Sequence, residues 1–386
     1  MISIAILGHG VVGSGVAEIL MNNAEGVTHK AGQPVCVKQI LDLRTFPELS
    51  YADRFTTNFD DILQDEEIAI VVETMGGLHP AYDFVKASLL AGKSVVTSNK
   101  EVVATFGVEL CEIAASHGVR YMFEASVGGG IPIIRPMMTD LASNKINSIN
   151  GILNGTTNYI LTAMRDDGKS FADALGEAQR LGYAEANPAA DVEGKDAARK
   201  TVILGAIASG KLVSPEAIST EGITNISLCD VELAQTLGYS IKLIGHAEER
   251  DGKLLAFVSP MAVSESNPLA RIDGVFNGIL VNANMVGDVM FYGPGAGKLP
   301  TASAVVADIV DVIAKRDVPV TPVGWVSAEA EDIAPLDDYV CPRLVIVDGE
   351  CDNALAEVNG KSAYFTEPMT EAEAAKISAA AVYRVL

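Results

Sequence analysis

An apolar run, Ile2–Leu7, ends in Gly8-His9-Gly10-Val11-Val12-Gly13, and this glycine-rich turn leads straight into Val11–Asn22, a stretch with helical spacing. A GxGxxG turn between a strand and a helix admits few folds. The first glycine permits the tight turn, the second lets the backbone approach a pyrophosphate, and the third lets helix and strand pack closely. Unpaired N–H groups at the helix start, including those of Val11 and Val12, then bind a diphosphate without help from side chains. The motif alone is a weak signal; the strand on one side and the helix on the other make it a strong one.

The pattern around it agrees. Val35–Leu41, Ile68–Glu73, Ser94–Thr97 and Arg120–Phe123 are further strand candidates, and His79–Ala91 and Gly107–Ala115 have helical spacing. Alternation of this kind predicts βαβ crossovers and a parallel sheet. Beyond residue 136 the character changes. Ile146–Leu153, Leu254–Val263, Gly278–Met285 and Val289–Gly293 read as longer strands, the last two as a hairpin, with helices at Asn158–Asp166, Phe171–Leu181, Lys195–Ala208 and Val231–Leu237. Helical patterning returns at Thr301–Lys315, and the tail holds one clear strand, Arg343–Val347, and a terminal helix-like run. The expected fold is α/β: a Rossmann-type doubly wound parallel sheet (1–136 with 301–325), a second α+β substrate and dimerisation domain (137–300), and a small C-terminal extension (326–386).

Composition excludes some partners. A net charge of −22, from 50 acidic and 28 basic residues, repels nucleic acid and anionic lipid, so any anionic cofactor must be held by local devices. No apolar run is long enough to span a membrane, and the first residues do not form a secretory leader. Cys36, Cys111, Cys229, Cys341 and Cys351 are scattered without a CxxC pair, as expected of small hydrophobes in a reducing cytoplasm. None has surroundings that would activate a thiolate, which argues against thioester-forming aldehyde dehydrogenases.

Candidate ligand-binding residues lie at the carboxyl ends of the predicted strands, where parallel sheets bind ligands. Asp42 follows the second strand. It reads either as the acid that accepts from ribose hydroxyls, given an insertion at 22–33, or as a solvated surface aspartate. Gly76 lies in Glu73-Thr74-Met75-Gly76-Gly77 after the next strand, and Ser98 and Lys100 in Thr97-Ser98-Asn99-Lys100 after the one beyond. Lys100 is either a surface lysine or one aimed at the ligand.

The most informative stretch is 182–200, GYAEANPAADVEGKDAARK. Asn187 and Pro188 make a loop, and Asp191 reads as a cap for the helix that follows. On that helix Asp196 and Lys200 are four apart and share a face with Ile203, Leu204 and Ile207, while Lys195 and Arg199 take the outer side. If exposed, the pair is an ordinary i,i+4 ion pair worth about 0.3–0.5 kcal/mol. If buried, it is a lysine that exchanges a proton with an alcohol or carbonyl oxygen, held by its acid.

This segment, Gly182-Tyr183-Ala184…Asn187-Pro188…Asp191-Val192…Gly194…Asp196…Lys200, resembles the signature of the homoserine dehydrogenase family. So do Val96–Lys100, Glu124–Pro132, Gly151–Tyr159 and Gly293–Ala302, in order along the chain. The resemblance implies NAD(P)-dependent interconversion of L-homoserine and L-aspartate 4-semialdehyde. It implies that Lys200 donates the proton to the carbonyl oxygen, that Glu185 binds the substrate ammonium with Asp191 and Asp196 nearby, and that Lys100 lies where cofactor and substrate meet. Gly182 and Gly297 match positions near the nicotinamide, and Glu124, Val127, Gly129 and Ile131 match a site for a monovalent cation (Na or K). Where relatives often carry Asp-Asp, this chain has Ala190-Asp191, one acid fewer.

Further expectations are a cytoplasmic homodimer or dimer-based homo-oligomer without a fused aspartate kinase, and a tail that is a degenerate or truncated ACT-like domain. NAD is expected to serve at least as well as NADP, because Asp42 repels a 2′-phosphate and Leu41 stands where relatives that use NADP often place an arginine; Arg44 nearby is the one counterweight. Two rival readings are another Rossmann dehydrogenase acting on an amino acid or semialdehyde, and a silent NAD(P)-binding sensor. A sensor has no use for a buried proton donor.

Overall fold

The computed structural model describes residues 1–386. The chain forms two compact units, Met1–Asp140 with Ala296–Ser327, and Leu141–Gly295 with Ala328–Leu386.

In the first unit, strands β1 (Ile2–Leu7), β2 (Val35–Leu41), β3 (Phe55–Thr56), β4 (Ile68–Glu73), β5 (Ser94–Thr97) and β6 (Tyr121–Met122) form a parallel sheet. Its order, β3-β2-β1-β4-β5-β6, reverses between β1 and β4, as in a doubly wound dinucleotide fold. β1 and β4 are almost continuously apolar because both faces of a parallel sheet are covered. The helices Val11–Asn22 and Lys298–Ala314 cover one face, burying Ile4, Ile6, Val72 and Val96 against Val16, Leu20, Val305 and Ile309. The assumed insertion at 22–33 is largely the helix Ala24–Ala31.

The second unit is built on a mixed sheet. Its strands are β7 (Ile146–Ile152), β8 (Tyr239–Arg250), β9 (Lys253–Ser264), β10 (Phe276–Ala283), β11 (Gly287–Pro294), β12 (Arg343–Asp348), β13 (Ala356–Val358), β14 (Lys361–Phe365) and β15 (Ala381–Val385), in the order β11-β10-β7-β8-β9-β15-β12-β14-β13. Ser219–Thr220 pairs with β9 off this path. The predicted hairpin is β10–β11, paired Ala283 to Gly287 and Phe276 to Pro294. On one face Ile152, Ile244, Leu255, Phe257, Met261 and Val263 make the core, with Leu336, Tyr339 and Leu386 from the tail packed on it.

Several expectations change here. Residues 328–386 are not set apart, because β15 pairs in parallel with β9 (Met261 with Arg384) and draws the tail into the same sheet. Its terminal run is helical only at Glu371–Ala374 and ends as strand β15. The order β15-β12-β14-β13 is that of a split βαβ fold, with a loop where the first crossover helix would stand. The unit boundaries fall at 140/141 and 295/296, rather than 136/137 and 300/301. β8, with β9 the longest strand, has no counterpart among the strands expected from the sequence.

Candidate active site

The glycine turn has the geometry its sequence demands. Gly8 has φ +92°, and a Cβ on Gly13 would lie 1.9 Å from the Gly8 carbonyl oxygen, so only glycine lets the helix begin this close to the strand. A Cβ on Gly10 would meet no protein atom within 4 Å, the open approach a diphosphate needs. The helix N-terminus carries Val11 and Val12, with Val11 exposed.

Beyond β4, one buried carboxylate organises the ligand edge of the sheet. Glu73 accepts from Thr97 Oγ1 at 2.6 Å, Met75 N at 2.7 Å and Gly76 N at 3.4 Å. Burial pushes its carboxyl up, against those hydrogen bonds. It thereby fixes both the Gly76 turn and the Thr97–Lys100 segment. Asn99 caps the helix Lys100–Ser116, accepting from Glu101 N and Val102 N, and donates to Gly77 O at 2.7 Å. The helix therefore starts at Lys100, seven residues before the expected start at Gly107, which places Ser98 and Lys100 at the carboxyl end of β5.

Asp42 is engaged on both oxygens. Oδ1 accepts from Arg44 N and Arg44 Nε, each at 2.9 Å, and Oδ2 from Arg44 Nη2 at 2.9 Å and His9 N at 2.8 Å. Arg44, beside it, holds the carboxyl far below the usual carboxylate range.

The segment after β6 is pinned from within. The Glu124 carboxylate accepts from Ile133 N at 2.7 Å, Ile134 N at 2.9 Å and Arg135 N at 2.7 Å, and Glu124 N donates to Asp308 Oδ2 at 2.9 Å. Asp308 also pairs with Arg135, and burial pushes its carboxyl up to about 7. Val127, Gly129 and Ile131 are buried, and their carbonyl oxygens accept no backbone hydrogen bond. What this segment offers a cation is therefore backbone oxygen.

In the second unit, Gly194 (φ +81°) opens the helix Lys195–Ser209, which packs on β8 and β9. Asp196 is 5% exposed and Lys200 8%, on one face with fully buried Ile203 and Leu204, whereas Lys195 is exposed. Lys200 Nζ donates to Asp196 Oδ2 at 2.7 Å and to Leu153 O, at the end of β7, at 2.8 Å. The surface ion-pair reading is thus excluded by burial.

Asn154, which the sequence did not single out as a site residue, completes the cluster. Its Nδ2 donates to Asp196 Oδ2 at 2.9 Å and Asp191 Oδ1 at 2.7 Å, while its Oδ1 caps the helix Gly155–Asp167 through Thr157 N. Asp191 faces this cluster and is not the helix cap; that position belongs to Gly194. Burial pushes Asp191 up, Asn154 opposes this, and nearby Asp196 adds to it. Glu185 stands exposed on the loop beyond Gly182 (φ +77°), where its carbonyl accepts from Gln179 and its carboxylate makes no hydrogen bond to the cluster. Gly297 (φ +122°) lies in the first unit, at the start of the helix Lys298–Ala314.

The five cysteines are free thiols, with Cys111 and Cys341 buried and the others half-buried. Burial pushes Cys111 up to about 12 and also raises Cys229 and Cys341, which opposes nucleophilic use. No group of three or more His, Cys, Asp or Glu side chains is placed to hold a metal, and no helix is long and apolar enough to cross a membrane.

Residues 8–124 match the family model described as homoserine dehydrogenase, NAD binding domain, and residues 132–310 the model described as homoserine dehydrogenase. The chain is 44% identical over 322 residues to a homoserine dehydrogenase of Synechocystis, covering 81% of this chain and 73% of that one. It is 40% identical over 345 residues to that of Neisseria gonorrhoeae, covering 87% and 79%. A crystal structure of a homoserine dehydrogenase from Thiobacillus denitrificans superposes with a TM-score of 0.90 at 36% identity, covering 100% of this chain and 98% of that one. A hyperthermophilic archaeal homoserine dehydrogenase in complex with NADPH superposes with a TM-score of 0.69 at 28% identity, covering 82% and 98%. With a dinucleotide fold in one unit and a buried lysine–carboxylate cluster in the other, the chain belongs to the homoserine dehydrogenase family and is an NAD(P)-dependent oxidoreductase acting on the CH–OH group of homoserine.

Proposed function

We propose that Lys200 is the proton donor and acceptor of this reaction and that Asp196 holds it in place. The observation that carries this is the burial of Lys200 Nζ between Asp196 Oδ2 and Leu153 O, on a helix face that is otherwise apolar. A bound nicotinamide dinucleotide supplies the hydride acceptor or donor. In the reducing direction Lys200 gives its proton to the oxygen of the semialdehyde carbonyl; in the oxidising direction its amine takes the hydroxyl proton of homoserine. Asp196, four residues earlier, keeps the amine aimed without being consumed.

The acids around this lysine suit the substrate's own ammonium. Asp191 and Asp196 are tied together through Asn154, and Glu185 is the exposed acid that meets the ammonium from the loop. Ala190 leaves this recognition to fewer carboxylates. Gly182 shapes that loop. In the first unit Gly8, Gly10, Val11, Val12 and Gly13 take the diphosphate, Gly76, Ser98 and Gly297 lie along the dinucleotide, and Lys100 serves the end nearest the substrate. The buried carbonyls of Val127, Gly129 and Ile131, with Glu124 bracing the segment, fit a Na or K ion with a structural role.

We further propose a cytoplasmic homodimer formed through the second unit. Supporting this, Tyr292 and Met285 are 54% and 78% exposed on the β10–β11 hairpin, an apolar edge that a second copy would cover; a stable monomer in light scattering would contradict it. The tail's strand order supports the degenerate ACT-like reading, and the missing crossover helix supports a weak response to threonine. Strong threonine inhibition lost on deleting 328–386 would refute that.

The proton role is tested by Lys200→Ala. We expect kcat to fall about 10²–10⁴-fold with cofactor affinity little changed. Normal turnover would return the pair to a purely structural role.

A further inference from the structure

A half-enclosed cavity of about 160 Å³ lies in the first unit, walled by Cys111 and Ala114 of the helix Lys100–Ser116, by Tyr121 and Met122 of β6, and by Met138 and Pro322. Cys111 stands eleven residues along that helix from Lys100, roughly 16 Å at the rise of an α-helix, so the cavity is well removed from the ligand edge of the sheet. Val127, Gly129 and Ile131 do not line it either. β6 is an edge strand, and the chain at 319–325 lines the same cavity without joining the sheet; none of its residues makes a backbone hydrogen bond. This segment is held at its two ends. Before it, Arg120 Nη2 donates to Lys315 O at 2.8 Å and Val318 O at 2.7 Å, and at its end Trp325 packs on Phe123, ring centres 5.2 Å apart. A wall without backbone bonds has low local stability and can move aside to admit a small molecule.

The lining decides what fits. It is mostly apolar, and a dry apolar cavity of about 150 Å³ holds one benzene ring. Two polar groups in its wall have no hydrogen-bond partner: the hydroxyl of Tyr121, a residue 5% exposed, and Arg135 Nε. Buried polar groups are rarely left unpaired, and a ligand oxygen that pairs with one removes its cost. The charged side chains, by contrast, are engaged. Arg135 pairs with Asp308 and Lys315 with Asp311, Arg120 is spent on two carbonyls, and the Glu124 carboxylate accepts three backbone N–H groups. A charged ligand would be desolvated here without a free counter-charge. We propose that this cavity binds a neutral single-ring aromatic alcohol of phenol size, its ring against Met122 and Met138 and its hydroxyl on that of Tyr121. Methionine side chains adapt readily to an aromatic ring. An occupant ties 319–325 to β6, just before the chain enters the second unit at Ala328.

Trp325 is the one tryptophan of the chain and stands against Phe123 of the cavity wall, so its emission reports occupancy. The probes are phenol, toluene and benzoate, titrated by Trp325 fluorescence without dinucleotide and by calorimetry with NADP saturating. We expect one phenol per chain with a Kd of about 1 mM or tighter, the same with and without NADP. Benzoate should bind at least about tenfold more weakly. Tyr121→Phe should weaken phenol about tenfold and leave toluene within about twofold, because only the hydroxyl loses its partner. Ala114→Phe, which fills the cavity, should abolish binding of both and leave NADP affinity unchanged. If that variant fails to fold, Tyr121→Phe decides alone. No phenol binding at about 10 mM, benzoate binding as tightly as phenol, or a Tyr121→Phe variant that treats phenol and toluene alike would overturn the proposal. Phenol binding lost when NADP is added would place the ring in the dinucleotide site, which also overturns it.

Discussion

Asp42–Arg44 and Asp196–Lys200 are both close acid–base pairs, at 2.9 and 2.7 Å, in opposite surroundings. In the first the base is 61% exposed; in the second both side chains are at most 10% exposed. An exposed cation is screened by water and salt, so its pairing adds little to stability. Breaking a buried pair costs about 3–5 kcal/mol, because a charge is left unpaired inside the protein. The pair whose cation faces water suits contact with a cofactor, and the fixed buried pair suits proton transfer, which depends on position.

The sharpest way to break this contrast is to loosen the buried pair without touching it. Asn154→Ala removes the amide that bridges Asp191 and Asp196 and also the cap on Thr157 N. We expect kcat to fall about 10²-fold, and the fold to lose about 1 kcal/mol through the cap. Unchanged kcat would mean that the lysine keeps its aim without this bridge. Next in size is Glu185→Gln, which should raise KM for homoserine about tenfold and leave cofactor affinity alone, since only a charge-assisted contact to the substrate is lost. Equal losses for both ligands would move Glu185 into a structural role.

Burial alone does not make a lysine catalytic, as a third pair shows. Lys242 on β8 is 1% exposed and donates to Asn158 Oδ1, Ile272 O and Asp273 Oδ1, a brace for the turn before β10. Burial lowers its amine from 10.5 to about 8. Between those values the unfolded chain binds more protons than the folded one, so this group makes stability rise with pH across that window. The whole rise is at most about 3 kcal/mol. The unfolding free energy of wild type minus that of Lys242→Met should therefore grow in favour of wild type from pH 8 to 10.5. A flat difference would show that the amine is charged in both states.

The same residue explains why β8 was illegible in the sequence. Lys242, Gly245, His246 and Glu248 interrupt its apolar pattern, yet Lys242 and His246 are buried with tertiary partners, His246 on Asn150 at 2.8 Å. Local periodicity cannot show partners that lie far along the chain. β15 was missed for a related reason, since Ala381–Val385 becomes a strand only through pairing with β9 and β12. The dinucleotide unit was legible because its devices are local: the glycine turn, the apolar strands and the residues just past their ends. In the site, the i,i+4 spacing of Asp196 and Lys200 and their apolar face were enough to find the pair. Asn154 and Glu73 were hidden because each acts through hydrogen bonds to segments distant in sequence, and nothing in Leu153-Asn154-Gly155 distinguishes a bridge from an ordinary helix cap.

The central claim is that the two pairs do separate work, and the Lys200→Ala, Arg44→Ala double-mutant cycle tests it most directly. NADP affinity and kcat at saturating cofactor are measured in wild type, in each variant and in the double variant. The account predicts that Lys200→Ala lowers kcat and leaves NADP affinity unchanged, that Arg44→Ala weakens NADP and leaves kcat unchanged, and that the two effects add within about 0.5 kcal/mol. A coupling above about 1 kcal/mol, or a loss of kcat at saturating NADP in Arg44→Ala, would contradict it.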